Sequence, residues 1–164
     1  MSELISYQFE DGIVGTVARV LDECGIEANL LELELTEGTL MDDARATMVT
    51  LEQLRGYRAQ GIRIVAPPLW VLLQADSSGN LLPSAYARNA RAAGLDIITW
   101  SLERSGILAD GNNGSYYQTY DSAIKREGDM FRMLDVLAQD IGVIGVFSDW
   151  PATVSFYANC TGQR

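Results

Sequence analysis

Short apolar runs alternate with stretches of helical spacing along most of the chain, and this alternation limits the fold more than any other feature. Leu30 to Glu37 alternates leucine with acidic residues, as a strand does. Ile62 to Ala66, Leu95 to Trp100 and Val143 to Phe147 are short, β-branched-rich runs of strand length. Between them lie helical patterns. Ile13, Val14, Val17, Val20 and Leu21 recur on one face after an N-cap-like Asp11, and Gly25 stops the pattern. Asp42 and Asp43 open a second helix with Ala44, Met48, Leu51 and Leu54 as its stripe, ending at Gly61. Further helices are predicted over 83–94, 130–140 and 152–157, with a helical turn over 69–73. Asp76 to Asn80 is a turn, and 105–115 is a Gly- and Asn-rich loop. Residues 4–9 form a weaker strand candidate.

Strands that alternate with helices imply a parallel sheet joined by crossovers. The expected class is therefore α/β, with four or five βα units. These form either a partial (β/α) barrel or an open sheet, because a complete eight-unit barrel takes about 250 residues and this chain has 164.

The chemistry is narrowed by one count: the sequence has no histidine. That excludes Ser-His-Asp and Cys-His catalysis and histidine-based zinc sites. Carboxylate chemistry with Mg²⁺ or Ca²⁺ remains as the class of cofactor to consider. A net charge of −10 repels phosphate backbones, so nucleic acid is not an expected partner. No run of about 20 apolar residues is present, and no membrane partner is expected. The N-terminal Met-Ser-Glu-Leu-Ile-Ser lacks a basic-then-apolar leader, which gives a cytoplasmic expectation. Cys24 and Cys160 are expected as free thiols.

Two stretches carry family resemblances. Ser6-Tyr-Gln-Phe9, Val17 to Gly25, Leu31-Glu-Leu-Glu-Leu-Thr-Glu37, Thr39-Leu-Met-Asp-Asp43, Leu51-Glu-Gln-Leu-Arg55 and Gly61-Ile-Arg-Ile64 resemble the middle of an EAL domain, the cyclic-di-GMP phosphodiesterase family. Ala66-Pro-Pro-Leu-Trp70, Ser84-Ala-Tyr-Ala87, Ala93 to Trp100, Glu103-Arg-Ser-Gly106, Gly145-Val-Phe-Ser-Asp-Trp-Pro151 and Tyr157-Ala-Asn-Cys160 resemble the C-terminal part of bacterial glycerophosphodiester phosphodiesterases. Both resemblances imply (β/α)₈ barrels that cleave phosphodiesters with divalent metals. The joint near residues 61–66 implies one α/β domain made of an EAL-like fragment (1–64) and a glycerophosphodiesterase-like fragment (65–164). A recombined or designed chimera follows from that reading.

The first resemblance places a metal ligand at Glu34. The second places a substrate-lining tryptophan at Trp100 and a site aspartate at Asp149. Each has a plain structural alternative. Glu34 is a polar position on a half-exposed strand, Trp100 is core, and Asp149 is the N-cap of the last helix. Tyr116, Tyr117 and Tyr120 are packing residues or sugar contacts. The catalytic histidines of one family and the Glu-Ala-Leu and paired-aspartate motifs of the other are missing. The expectation is a protein without catalysis, with a weak metal-dependent phosphodiesterase or a binder of a small phosphate ester as alternatives. Open edges on a partial barrel favour a homodimer.

Overall fold

Residues 13–34, 51–103, 107–108 and 115–162 are described by the computed structural model. The backbone of the two helices before the second sheet strand follows the apolar spacing. Helix α1 (Ile13–Cys24) ends at Gly25, whose φ of 63° is the left-handed conformation that glycine adopts without strain. Helix α2 (Leu51–Ala59) buries Leu54 and Tyr57 and ends at Gly61, with φ 91°. Asp11, Asp42, Asp43, Ala44, Met48 and the 4–9 strand lie outside the described residues.

Strands β1 (Glu32–Glu34), β2 (Ile64–Ala66), β5 (Asp96–Thr99) and β6 (Gly145–Val146) form one parallel sheet in the order β1-β2-β5-β6. β2, β5 and β6 are each shorter than the apolar run that signals them. A short 3₁₀ turn at Ala28–Leu30 precedes β1. The α/β class and the parallel sheet of four units stand. A second sheet was not expected: β3 (Leu73–Ala75) and β4 (Leu81–Pro83) pair antiparallel. Asp76 makes this hairpin, its Oδ1 accepting from the backbone N–H of Ser78 and of Asn80, each at 2.8 Å.

The connection from β2 to β5 runs through a helical turn α3 (Leu69–Leu72), the hairpin, and helix α4 (Ala85–Ala92). Pro83 belongs to β4, and Ser84 is the cap of α4: its Oγ accepts from Ala87 N at 3.1 Å and donates to Val71 O. Ala87 and Ala90 are fully buried, and such small side chains let α4 lie close against its neighbours. The last crossover uses helix α5 (Asp129–Asp135), which continues as a π turn over Val136–Ile141. Its end is closed from α4: Arg91 Nη1 donates to Ile141 O at 2.5 Å, and Gly142 (φ 73°) leaves the room that the guanidinium fills. Helix α6 (Pro151–Thr161) follows β6 and is longer than its sequence pattern, with Pro151 at its start and Gly162 past its end.

Val65 and Ile97 stand side by side in register on one sheet face and are almost fully buried beneath the helices. The other face keeps Ile64 and Ile98 half-exposed and Asp96 exposed. The core continues through Leu69–Leu73, Tyr117, Tyr120, Ile124, Met133 and Leu137. No helix among the described residues is long and apolar enough to cross a membrane.

Asp129 is the charged residue most involved in this core. It is 3% exposed and accepts from Lys125 N at 2.8 Å, Arg126 N at 3.2 Å and Arg132 Nη1 at 3.3 Å. Burial pushes its carboxyl up, but the two backbone N–H groups and the Arg132 guanidinium outweigh that and hold it below the usual carboxylate value. A depressed folded value adds stability that is present above the unfolded pKa of about 3.9 and disappears as pH falls through the folded one. Asp129→Asn is therefore expected to lower the unfolding free energy at pH 7 by about 1.5–3 kcal/mol. The difference from the parent chain should shrink below pH ~4. Urea melts across that pH range check it, and a pH-independent difference would mean that the charge is not what matters.

Candidate ligand face at the strand ends

In a parallel sheet all C-terminal strand ends lie together, which is where barrel and open-sheet sites form. Here the described end is built by hydrogen bonds that cross between strands. Thr99, fully buried at the end of β5, donates its hydroxyl to Pro67 O at 2.8 Å. Trp100, the next residue, donates its indole N–H to Ala66 O at 3.0 Å and accepts at its carbonyl from Leu69 N at 2.9 Å. Phe147 N donates to Thr99 O at 2.8 Å, and Leu102 N to Phe147 O at 3.3 Å. The backbone beyond β2, β5 and β6 is thereby tied into one platform.

Trp100 is half-exposed on this platform. Its ring meets Trp70 edge-on, with centroids 5.5 Å apart at 83°, and Trp70 meets Tyr116 in the same manner at 5.6 Å and 70°. Because the indole N–H is already used, what Trp100 offers outward is ring surface. Trp100 packs on the core through Trp70 and is partly open at the strand end. Tyr117 and Tyr120 are fully buried packing residues, and the Tyr117 hydroxyl donates to Leu102 O.

Three residues on from Trp100 comes Glu103, 8% exposed. Its Oε1 accepts from Ser148 Oγ at 2.5 Å and its Oε2 from Asp149 N at 3.0 Å. One carboxylate thus holds the turn after β6 against the turn after β5. Asp149 itself is exposed. The residue before α6 is Trp150, whose own side chain makes no capping bond.

Glu34 ends β1, paired in register with Ala66. The strand order puts β2 and β5 between it and β6. At about 4.8 Å per strand, β1 and β6 are about 14 Å apart across the sheet. Among the described residues no group of three or more histidine, cysteine, aspartate or glutamate side chains gathers to hold a metal. Ser148 carried no signal of its own in the sequence. Its link to Glu103 spans 45 residues and exists only once β5 and β6 pair.

Clefts are also found elsewhere. One of about 460 Å³ sits between β4 and α5, lined by Leu81, Phe131, Arg132, Asp135 and Tyr157, where Tyr157 donates to Asp135 Oδ1 at 2.8 Å. Another of about 380 Å³ runs between the π turn, β6 and α6, and is mainly apolar.

No protein-family model matches the chain. It is 49% identical over 121 residues to a protein of Arthroderma benhamiae named "Extracellular protein". That match covers 73% of this chain and 48% of the relative, so the chain spans about half the length of that relative.

This likeness corrects several expectations. A stretch covering 73% of the chain includes residues 61–66 wherever it is placed, so a natural protein carries sequence continuous across the supposed joint. The chimeric or designed origin falls. The phosphodiesterase and phosphate-ester alternatives fall as well: the relative's name carries neither activity, and the charged groups of the platform, Glu103 and Asp149, would repel a phosphate. The cytoplasmic expectation is overturned by the relative's extracellular naming. It had rested on the N-terminal residues alone.

Glu103→Ala is expected to lower the unfolding free energy by about 2 kcal/mol, and Glu103→Gln by less, since an amide oxygen still accepts one of the two bonds. Chemical denaturation of both variants measures this. Equal, near-zero losses would show that the two turns hold together without the carboxylate.

Proposed function

We propose that the chain is a sheet-bearing portion of an extracellular, (β/α)-barrel-type protein that binds a small, uncharged, hydroxylated ligand over Trp100. The observation that carries this reading is a fixed, half-exposed indole at the C-terminal end of parallel strands, with the buried Glu103 carboxylate three residues further along the chain. Several physical arguments support the ligand class. Parallel strand ends are the usual place for a ligand in such sheets. An aromatic face takes the apolar side of a polyol or sugar ring, and carboxylate oxygens accept from its hydroxyls. The chain's net charge of −10, with Glu103 and Asp149 at the rim, disfavours an anion. The extracellular setting comes from the Arthroderma relative, at 49% identity. The barrel-type reading is supported by the resemblance of residues 61–164 to a barrel family and by the four parallel strands with intervening helices.

Tryptophan fluorescence tests the proposal. Titration with glycerol and with glucose is expected to shift the emission saturably, and inorganic phosphate at the same ionic strength is not. Trp100→Phe should remove the shift while leaving the circular dichroism unchanged. A response to phosphate and none to the neutral polyols would overturn the ligand class. A shift that persists in Trp100→Phe would overturn the location.

A further inference from the structure

The cleft of about 460 Å³ beside β4 has the volume of a small-molecule site and shares no lining residue with the Trp100 platform. Arg132 and Asp135, three positions apart on α5, both line it. Each is fixed in place without being used up. Arg132 Nη1 donates to Ala123 O at 3.1 Å and to Asp129 Oδ1 at 3.3 Å, while its Nε and Nη2 have no partner among the described residues. Asp135 Oδ1 accepts from the Tyr157 hydroxyl at 2.8 Å, and its Oδ2 has no partner among the described residues. The two charges do not pair with each other, because Arg132 pairs with Asp129. Asp129 also lies 3.7 Å from Arg126 Nε, so one carboxylate serves two guanidiniums and a net positive charge remains there. The apolar lining comes from Leu81, Val136, Phe131 and Tyr157. Phe131 is held by Phe156, with ring centroids 5.6 Å apart. At Val136 the helix leaves α geometry for its π turn, a departure that recurs at functional sites.

We propose that this cleft binds a free α-amino acid with an apolar side chain, its carboxylate on Arg132 and its ammonium on Asp135. The charges select the ligand. A simple cation would meet Arg132 and a simple anion would meet Asp135, each at a like-charge cost, whereas a zwitterion satisfies both. Residues three apart on a helix have Cβ atoms about 5–6 Å apart, so the ligand's two charges must be neighbours as well. Ammonium and carboxylate are neighbours across a single α-carbon. In a peptide each further residue moves them about 3.8 Å apart. A guanidinium held at Nη1 still offers the Nε–Nη2 edge, whose two parallel N–H groups match a carboxylate. The Asp135 oxygen left over by Tyr157 accepts from the ammonium. The side chain of the amino acid then lies against Leu81, Val136 and the Phe131 ring, where burying its apolar surface adds to the affinity.

Isothermal titration calorimetry of the intact chain at pH 7 is the test, with L-phenylalanine as the probe. Saturable binding of one molecule per chain is expected. Hydrocinnamate, which lacks the ammonium, and phenethylamine, which lacks the carboxylate, should each bind at least about tenfold more weakly, as should the dipeptide glycylphenylalanine. Asp135→Asn keeps an oxygen for the Tyr157 hydroxyl and should leave the circular dichroism unchanged. It is expected to weaken phenylalanine binding about tenfold and to leave hydrocinnamate binding as it was. No saturable heat with L-phenylalanine up to ~10 mM overturns the proposal. Hydrocinnamate or phenethylamine binding as tightly as phenylalanine overturns the zwitterion, and the dipeptide binding as tightly overturns the free amino acid. Phenylalanine binding that Asp135→Asn leaves unchanged overturns the site. The ligand series is read on the parent chain, so it decides the ligand class whatever the variant does to folding.

Discussion

Pairing between β2 and β5 is the constraint on which the rest of the molecule depends. Parallel strands cannot be joined by a tight turn, so everything between residues 66 and 96 has to leave the sheet and return. The helical turn α3, the β3-β4 hairpin and α4 are what that excursion folds into. Val65 and Ile97 lie side by side in the pair and are almost wholly buried. Burying two such side chains is worth about 1.5–3 kcal/mol each, which anchors the helical layer to the sheet. The same pairing brings Thr99 and Trp100 within reach of Pro67 and Ala66, so the platform at the strand ends is a direct consequence of it.

A second constraint acts at the rim. Buried carboxylates persist only where hydrogen bonds replace lost water. Glu103 meets this with one hydroxyl and one backbone N–H from the turn after β6, and Asp129 meets it with two backbone N–H groups and a guanidinium at the start of α5. The two sites do different work. Asp129 closes a local turn on its own helix. Glu103 links segments 45 residues apart, and its removal would loosen the ground on which Trp100 stands.

Much of the architecture was legible because period and punctuation are local properties. The stripe Ile13 to Leu21 with Gly25, the run Leu95 to Trp100 and the Asp76–Asn80 turn each signal their element without reference to the rest of the chain. The β3-β4 hairpin was missed because Leu69 to Leu73 is an unbroken apolar run, and such a run has no period to separate a helical turn from a strand. At Asp149 the structure adds what the local pattern could not show: its backbone N–H donates to Glu103, 46 residues earlier. The chimera reading failed for a different reason. Resemblance in pieces says nothing about continuity, and the continuity came from a natural relative that spans the join.

The sequence by itself determined the α/β class, the positions of most helices and strands, and the absence of histidine chemistry, because these follow from composition and from contacts within a few residues. Strand order, the separation of Glu34 from Asp149, the use of the Trp100 indole N–H, and the meeting of Glu103 with Ser148 were decided only by the tertiary structure. Each of these joins groups tens of residues apart in the chain. Such a distance is closed by burying apolar surface between whole elements, and no local pattern records which elements will meet.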